Sequence, residues 1–274
     1  MKKILSFIAI LSALLTSCEK TIDIDYHEVE PLYVVEASVT ENGAFAKISM
    51  TQNVTDAMGC KTVDNAMVTI VSDHGEQCVL HLDSAGSYSS SELKGKAGHN
   101  YTIKVQIGDY ITESTSEMQG EFEVGDIYMY KMQMMEDELV YYHIDVQDTC
   151  SEQSYYYALV RRNGEVYKWH VMTDKGYQNI TSIDVPCFVY CELDKDNKDI
   201  LTDGECISVE VRKIDRRTYD YLYALALSER TGSNPIRNFT NPATLGYFSA
   251  HHSIKDKGLV FAKDSLQFMD AYLK

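Results

Sequence analysis

Proline, tryptophan and long apolar stretches are scarce in this sequence. It contains four prolines and one tryptophan among 274 residues. Beyond residue 15, no apolar run approaches the length of about 20 residues that a membrane-spanning helix requires. We therefore expect no transmembrane helix in the body of the chain.

The short motifs that identify common enzyme classes are also missing. The sequence has no GxSxG nucleophile elbow, no GxGxxG or P-loop, and no HExxH, so it offers no signature of a serine hydrolase, a nucleotide-binding enzyme or a zinc peptidase. No CxxC pair or tight Cys/His cluster provides the ligand spacing of a zinc site. We expect a protein that is not an enzyme, with no catalytic residues, no cofactor and no metal site.

Basic residues are few relative to acidic ones. The 25 Lys and Arg residues are outnumbered by 41 Asp and Glu residues, which gives a formal net charge of −16. The phosphates of nucleic acids and anionic lipid headgroups repel such a chain. The composition therefore argues against nucleic acid as a partner, while the 45% apolar content supports buried cores.

The first seventeen residues have the organisation of a bacterial export signal. Two lysines precede an almost wholly apolar segment, residues 4–15, and small residues follow it. Leu15-Thr16-Ser17-Cys18 resembles the lipobox of bacterial lipoproteins, in which the chain is cut before the cysteine and the cysteine is acylated. We interpret residues 1–17 as a lipoprotein signal peptide and Cys18 as the lipidation site. The alternative is an ordinary cleaved signal followed by a chance cysteine.

Lipidation at Cys18 would tether a soluble body to a membrane. Each buried CH₂ group contributes about 0.8 kcal/mol, so two or more acyl chains anchor a protein stably. Residues 18–31 are polar and acidic, and we interpret them as a tether between membrane and body. Cleavage removes two lysines, which takes the formal charge from −16 to −18.

Six cysteines follow the lipobox, an even number that suits disulfides in an exported protein. They are Cys60, Cys78, Cys150, Cys187, Cys191 and Cys206. Cys187 and Cys191 lie in one predicted strand about 13 Å apart, whereas a disulfide needs Cα atoms within about 7 Å. We therefore expect no bridge between these two; Cys60–Cys78 is a candidate bridge, and the strand pair would share the two remaining cysteines.

The first part of the body carries short β-branched runs in which apolar and polar residues alternate. LYVVEASV (32–39) and FAKISMT (45–51) flank Asn42-Gly43, a typical hairpin turn. Similar runs follow up to residue 115. Their spacing predicts an antiparallel β-sandwich over residues 32–120.

Residues 121–274 are predicted to form a second, mainly antiparallel β domain with one helix. Further strand-like runs occur, and Asn163-Gly164 indicates another hairpin. In residues 215–231 the apolar residues recur at helical spacing, and Gly232 and Pro235 end the pattern. The predicted fold class is therefore mainly β.

Two clusters match metal ligands only in part. DKDNKDILTDGE (194–205) agrees with some positions of an EF-hand loop, but Lys198 stands where an oxygen ligand is needed and Asp199 where glycine is needed. We interpret this segment as an acidic, solvated loop. His251-His252 has no HExxH partner, and adjacent strand residues point to opposite faces, so we interpret these as surface histidines.

Tyrosine is abundant, with 20 residues, and is favoured on half-buried strands. The clusters Tyr141-Tyr142 and Tyr155-Tyr156-Tyr157 could form a stacking platform for sugars or peptides, but ordinary sheet packing is the preferred interpretation. Each cluster must direct at least one ring outward or into a second layer. Tyr219 and Tyr223, one helical turn apart, are expected to bury against the sheet.

Several stretches spread over most of the chain resemble one family. They are CEKTIDID after the lipobox, LYVVEASVTENG, NAMVTIVSD, AGSY, TDGECISVEVRKI, YDYL and LGYFSAHH. Together they resemble a family of Bacteroidota lipoproteins with a domain of unknown function, often encoded beside SusC/SusD-type outer-membrane nutrient transporters. The resemblance implies an N-terminal immunoglobulin-like sandwich followed by a mainly β domain, and a place in the outer membrane. It lends no catalytic residues.

From the resemblance we expect a non-catalytic accessory or ligand-binding subunit of a SusC/SusD-type importer of peptides or glycans. The protein would be held in the outer membrane through Cys18 and face the cell exterior. Glu19, Asp23 and Asp25 fit the acidic export signal of such bacteria loosely, so the leaflet stays open. The alternatives are a degradative enzyme of the same locus and an adhesin-like structural module.

Overall fold

The computed structural model describes residues 30–53, 59–134, 137–148, 152–174, 181–190, 200–232 and 235–268. Most of this part is β-strand, with one α-helix. The sheets are antiparallel apart from one parallel pair of strands. The predicted fold class, mainly β with one helix, is confirmed. The signal peptide, Cys18 and all of the tether up to residue 29 lie outside the described residues.

The first β unit is built from eight consecutive strands and closes around one core. The strands are β1 (Tyr33–Thr40), β2 (Gly43–Met50), β3 (Lys61–Thr62), β4 (Met67–Ser72), β5 (Gln77–Ser84), β6 (Ser87–Ser90), β7 (Asn100–Ile107) and β8 (Tyr110–Glu117). They follow the order β1-β2-β6-β5-β4-β7-β8, with β3 beside β2. On β1, Val35, Ala37 and Val39 are buried while Glu36 is exposed, because successive strand residues point to opposite faces.

The second β unit consists of two sheets. The elements of this part of the chain are β9 (Glu123–Met134), β10 (Asp137–Gln147), β11 (Tyr155–Arg162), β12 (Glu165–Thr173), β13 (Thr181–Tyr190), β14 (Cys206–Ile214), α1 (Arg216–Thr231), β15 (Thr244–Ala250), β16 (His252–Lys255), β17 (Leu259–Val260) and a short 3₁₀ helix (Lys263–Ser265). Of these strands, β15 joins the sheet of the first unit. One sheet has the order β13-β10-β9. The other has the order β12-β11-β14-β16, with β17 beside β14.

The two sheets of the second unit share an apolar core. Val140, Tyr142 and Ile144 of β10 are buried in it with Val209 and Val211 of β14. Each of these strands contributes every second residue, as a sheet covered on one face requires. The second unit therefore has an apolar core of its own.

Strand β15 corrects the predicted domain division. It pairs in parallel with β1, with Val35 opposite Gly246, and Phe248 and Ala250 are buried in the core of the first unit. The described residues from 31 onward, apart from Asn53, form one compact unit. The division at residue 120 is wrong for β15, because alternation predicts a strand but does not predict which sheet it joins.

The segment that contains β15, residues 238–250, also buries a polar face of β8. Thr112, Ser114 and Ser116 are at most 3% exposed, although their alternation with Ile111 and Glu113 suits a strand with one wet face. The hydroxyl of Ser116 accepts a hydrogen bond from the Ala250 backbone N–H at 2.8 Å, and Ser114 donates to the carbonyl of Asn238 at 2.9 Å. Hydrogen bonds that involve side-chain hydroxyls, rather than apolar contacts, therefore hold residues 238–250 against β8.

Two of the predicted hairpins are present. Asn163 and Gly164 both have positive φ values, 52° and 88°, as a type I′ turn requires. Between β1 and β2 the turn residues are Glu41 and Asn42, one position earlier than predicted, and Gly43 begins β2.

Strand β13 begins at Thr181, earlier than the predicted strand that contains Cys187 and Cys191 suggests. It includes Pro186, and its pairing with β10 shifts between Val140 and Tyr141, opposite this proline. Proline has no backbone N–H to donate, so it occurs in edge strands and at bulges. β13 is an edge strand of its sheet among the described residues, which explains why the strand tolerates Pro186.

Helix α1 begins and ends where the sequence predicts. The side chain of Asp215 caps it by accepting a hydrogen bond from the Thr218 backbone N–H at 2.8 Å. Gly232 ends it in the left-handed conformation, φ 68°, where glycine is favoured. The buried face includes Tyr221, whose hydroxyl accepts from the Gly246 N–H at 2.9 Å, so the helix is bound to β15 of the first unit.

Candidate functional site

A polar cleft of about 610 Å³ lies beside the start of helix α1. Segments that are distant in sequence form its wall: the start of β7, the end of β8, the start of β11 and the first turn of the helix. The lining residues are Asn100, Thr115, Glu117, Gln119, Glu152, Gln153, Tyr155, Asp215, Arg216 and Arg217. Its volume is within the range of about 300–1,000 Å³ that is typical of ligand sites.

Asp215 at the cleft wall has a structural task. Its carboxylate accepts hydrogen bonds from the Thr218 N–H and hydroxyl and from the hydroxyl of Ser116. Burial raises the pKa of this carboxyl above its ordinary value, against the opposing effect of those hydrogen bonds. Because its lone pairs already hold the helix end and β8 together, Asp215 is better suited to supporting the cleft than to chemistry.

The two arginines of the first helical turn differ in how strongly their side chains are held by neighbouring groups. Arg217 donates to the carbonyl oxygen of Asn238 at 3.0 Å, which holds it in place. Arg216 is 75% exposed and lies 3.7 Å from the carboxylate of Asp220, one turn further along the helix. An exposed i,i+4 pair of this kind is weak, so Arg216 can exchange that contact for a ligand.

A strip of three tyrosines leads out of the cleft along the helix. The ring centroids of Tyr155 and Tyr219 are 4.9 Å apart, and those of Tyr219 and Tyr223 are 5.7 Å apart. Tyr155 and Tyr219 are half-buried, and Tyr223 is 48% exposed. The expectation that Tyr223 buries against the sheet is wrong, because the helix directs Tyr221 and Leu222 inward instead. We call these three residues the tyrosine strip.

The other clustered tyrosines pack in the ordinary way. Tyr142 is buried and donates to the carboxylate of Asp256. Tyr156 is buried and donates to Asp148 at 2.6 Å. Tyr157 stacks on Trp169, with centroids 5.9 Å apart. Tyr141 is half-buried and stacks on Tyr130, with centroids 5.4 Å apart. Tyr155 is the residue of the two clusters that joins the tyrosine strip.

An apolar pocket of about 400 Å³ opens at the core of the second unit. Val124, Ile127, Leu259 and other core residues line it, and Asp256 lies at its wall. The Asp256 carboxylate accepts from the backbone N–H groups of Val209 at 3.1 Å and Gly258 at 3.0 Å. Those bonds and Tyr142 occupy the carboxylate, so Asp256 is not free to orient a ligand; Lys255 and Lys257 also line the pocket.

A buried ion pair lies near the end of the same core. The ammonium of Lys213 is 2.7 Å from the Asp148 carboxylate, with side chains 2% and 5% exposed. Ser154 donates to the same oxygen at 2.7 Å, and burial beside this carboxylate raises the pKa of Tyr156. Each group has a partner in the network, as buried polar groups require, so we interpret it as structural.

The predicted disulfide between Cys60 and Cys78 is not formed. Cys60 is exposed before β3, Cys78 is buried in the core on β5, and both are free thiols, as is Cys206. The alternation of β5 directs the Cys78 side chain into the core, whereas Cys60 stays exposed. Cys150, Cys191 and the side chain of Cys187 lie outside the described residues.

The acidic loop is described only at its end. There Glu205 accepts from the Arg162 guanidinium through both oxygens at 2.7 Å. Those bonds and the Coulombic attraction of Arg162 lower the pKa of Glu205, although burial opposes them. Glu205 stands at the last ligand position of the partial EF-hand match, but its carboxylate forms an ion pair with Arg162. Residues 191–199 lie outside the described part.

The histidine pair is not at the surface as predicted. His251 is 2% exposed, and burial lowers its pKa to about 3, so the ring is neutral. Its Nδ1 lies 3.0 Å from the hydroxyl of Ser249. His252 is half-buried with Nδ1 3.3 Å from the carboxylate of Glu41. The end of β15 brings His251 into the interior, which the sequence does not indicate.

Comparisons with known proteins identify a family but no function. A family model described as a domain of unknown function (DUF4249) matches residues 19–255. Among solved structures, a two fibronectin type-III domain segment from chicken tenascin is 15% identical, with 83% of this chain and 97% of that chain covered and a TM-score of 0.23. A likeness of that size carries no argument, and no curated protein matches the sequence. Within the described residues, no helix is long and apolar enough to span a bilayer.

Proposed function

This chain belongs to the DUF4249 family, a domain of unknown function, and we propose its role from its own residues together with the resemblance described above. We propose a non-catalytic, ligand-binding accessory subunit of a SusC/SusD-type nutrient importer of the Bacteroidota. It is an outer-membrane lipoprotein, anchored through Cys18 and facing the cell exterior. The lipobox and the acidic tether support the location, and the cleft with its tyrosine strip supports ligand binding.

The single observation that carries the proposal is the polar cleft continued by the tyrosine strip. Amides from Asn100, Gln119 and Gln153 both donate and accept hydrogen bonds, as the hydroxyl groups of a sugar do. Aromatic side chains combine a flat apolar face with a polar edge, which suits the C–H faces of a sugar ring. We therefore assign a glycan fragment to the cleft, with a peptide as the competing ligand.

The charges of the cleft agree with a ligand that is close to neutral. Glu117, Glu152 and Asp215 are the acidic residues of the wall, and Arg216 and Arg217 are the basic ones. Because the opposite signs nearly balance, the cleft has no strong preference for an ion of either sign. A neutral oligosaccharide meets this condition without leaving a buried charge unpaired.

Calorimetric titration with a panel of neutral oligosaccharides tests ligand binding. Removing one stacking ring costs about 0.5–1.5 kcal/mol, so Tyr223→Ala should weaken binding by about twofold to tenfold. Leu227→Ala is the matched control, since Leu227 is also exposed on α1 but lies outside the tyrosine strip. Binding of peptides in place of sugars, with the same sensitivity to Tyr223→Ala, would replace the glycan by a peptide. Equal effects of the two substitutions would overturn the cleft as the site.

Co-purification tests the importer association. The tagged, lipidated protein is recovered from its native membrane in mild detergent, and bound proteins are identified by mass spectrometry. A stoichiometric SusC/SusD-type pair is expected. Recovery of the protein alone would overturn the association and favour an adhesin-like module. Turnover of the oligosaccharide or peptide panel by the purified protein would instead identify a degradative enzyme.

A further inference from the structure

Two turns meet at one end of the first β unit. Asp73 and His74 lie in the turn between β4 and β5, and His99 lies just before β7. Backbone hydrogen bonds fix both turns: the Asp73 N–H donates to the carbonyl of Asn100 at 2.9 Å, and the N–H of Gly98 donates to the carbonyl of Met118 at 2.8 Å. The three side chains therefore stand on a rigid part of the sandwich.

One carboxylate and two imidazoles converge between these turns. Nδ1 of His74 lies 2.7 Å from Asp73 Oδ1, and Nδ1 of His99 lies 3.8 Å from the same oxygen. The two imidazole rings stack with centroids 3.9 Å apart and an interplanar angle of 21°. One ligand atom from each residue can be chosen so that all three lie within 4.8 Å of one another.

His99 has an unsatisfied polar atom in this cluster. Its Nδ1 is buried, and among the described residues no hydrogen-bond partner reaches it. Buried polar atoms are nearly always partnered, and an exception requires a specific explanation. A cation bound between His99 and Asp73 would satisfy this nitrogen.

The Asp73 carboxylate is oriented toward the imidazoles. Its second oxygen, Oδ2, accepts from the backbone N–H of Asn100 at 3.1 Å and from the Asn100 side-chain amide at 3.3 Å. With Oδ2 held by Asn100, the other oxygen, Oδ1, faces the two imidazole rings. Outer partners that orient a ligand in this way are characteristic of metal sites.

From this geometry we propose that Asp73, His74 and His99 bind a divalent transition cation, with Zn²⁺ as the probe. Two imidazole nitrogens and one carboxylate oxygen suit Zn²⁺, which binds at about 2.0–2.2 Å to each. Ligand atoms around such an ion are about 3.3 Å apart, so the side chains close by about 1 Å through rotation of partly exposed rings. Three protein ligands leave the remaining positions to solvent.

The charges around the cluster favour a cation. Lys96 lies nearby, but its ammonium is paired with the carboxylate of Glu76 at 2.9 Å. The formal charge of the whole chain, −16, adds a general attraction. The cluster shares Asn100 with the wall of the proposed glycan cleft, but the inference does not rest on the proposed function.

Zinc titration of the full-length protein, stripped with a chelator and carrying a tag without histidines, tests the proposal. We expect one Zn²⁺ per chain by calorimetry. Asp73→Ala, His74→Ala and His99→Ala should each weaken binding at least tenfold. His81→Ala is the matched control, because His81 is exposed on β5 of the same unit but lies outside the cluster, and it should bind as the parent does.

A second readout keeps the proposal falsifiable if a variant folds poorly. Cu²⁺ in place of Zn²⁺ should give an electron paramagnetic resonance spectrum with couplings from two imidazole nitrogens, reduced to one in each single histidine variant. Circular dichroism identifies variants that fail to fold. No saturable binding, equal binding by the three cluster variants and the parent, or an equal loss in His81→Ala would overturn the site.

Discussion

Replacing Gly246 by alanine is the sharpest test of how β15 joins the first unit. Gly246 has φ +100°, and a Cβ atom built there would lie 2.0 Å from the carbonyl oxygen of Val35 and 2.6 Å from its carbonyl carbon. Both atoms belong to backbone in the neighbouring strand β1, which a rotamer change cannot move. The substitution must therefore separate β15 from β1 or distort both strands.

The expected cost has two parts. A residue other than glycine at such a φ costs about 1–3 kcal/mol, and overpacking of a tight contact costs about 1–3 kcal/mol more. We expect a total of about 4 kcal/mol. For a domain of 150–250 residues each kcal/mol lowers Tm by about 2–4 °C, so the melting temperature should fall by about 8–16 °C.

Thermal unfolding followed by circular dichroism measures this effect, and two glycines provide matched controls. Gly108 has φ +59° with no atom near its Cβ position, so Gly108→Ala reports the backbone cost alone. Gly120 has neither a positive φ nor a close neighbour, so Gly120→Ala should leave Tm nearly unchanged. If Gly246→Ala lowered Tm no more than Gly108→Ala, the close pairing of β15 with β1 would be refuted.

Three further predictions concern buried polar groups. The pKa of His251 is about 3 in the folded protein and 6.5 ordinarily, so as pH falls the unfolded chain binds a proton before the folded protein does. Urea unfolding should therefore show that the free energy of unfolding falls by about 2 kcal/mol between pH 7 and pH 5 because of this residue. His251→Gln should remove that loss, and His81→Gln, at an exposed position, should not. Asp215→Ala should cost about 1–2 kcal/mol through the lost helix cap, and Asp215→Asn, which can still cap, should cost less; equal losses in thermal melts would contradict the cap. Lys213→Met should cost about 3–5 kcal/mol by leaving the Asp148 carboxylate buried without its cation; chemical denaturation should show part of this recovered when Asp148→Leu is added, and no recovery would contradict the pairing.

Local patterns are sufficient to predict several of the individual elements. The alternation of β14 predicts its bounds, and the capping residues Asp215 and Gly232 locate both ends of α1. Asn163-Gly164 predicts its turn because only a few residue types accept two successive positive φ values. These features depend on neighbours within a few residues, which a sequence shows directly.

Long-range partnerships could not be predicted in the same way. The sequence of β15 predicts an ordinary strand of the second unit. Its pairing with β1 instead makes it part of the core of the first unit. That pairing in turn buries Thr112 and Ser114, whose hydroxyls suit a solvent-facing side by composition alone. Which sheet a strand joins depends on tertiary packing, and local propensity is a weak guide to it.

The cleft and the cation cluster were missed for the same physical reason. Their residues are separated in sequence by whole strands, and neither has a spacing that a motif could capture. The doublet Asp73-His74 in a turn was the only local signal for the cluster, and a doublet of that kind is common on surfaces. The even count of cysteines pointed instead to a disulfide, which the free thiols of Cys60 and Cys78 do not form.

Asn100 connects the two proposed sites and makes their occupancies interdependent. Its side chain lines the cleft, and the same residue donates two hydrogen bonds to Asp73. If a cation draws Asp73 toward His99, we expect Asn100 to move with it through these hydrogen bonds and to alter the wall of the proposed glycan cleft. By linkage, a ligand that changes the affinity of the cation by some factor is itself affected by the same factor. We therefore expect a cation at the cluster to change the affinity of the cleft for its ligand, and an unchanged affinity in the presence of Zn²⁺ would contradict this coupling through Asn100.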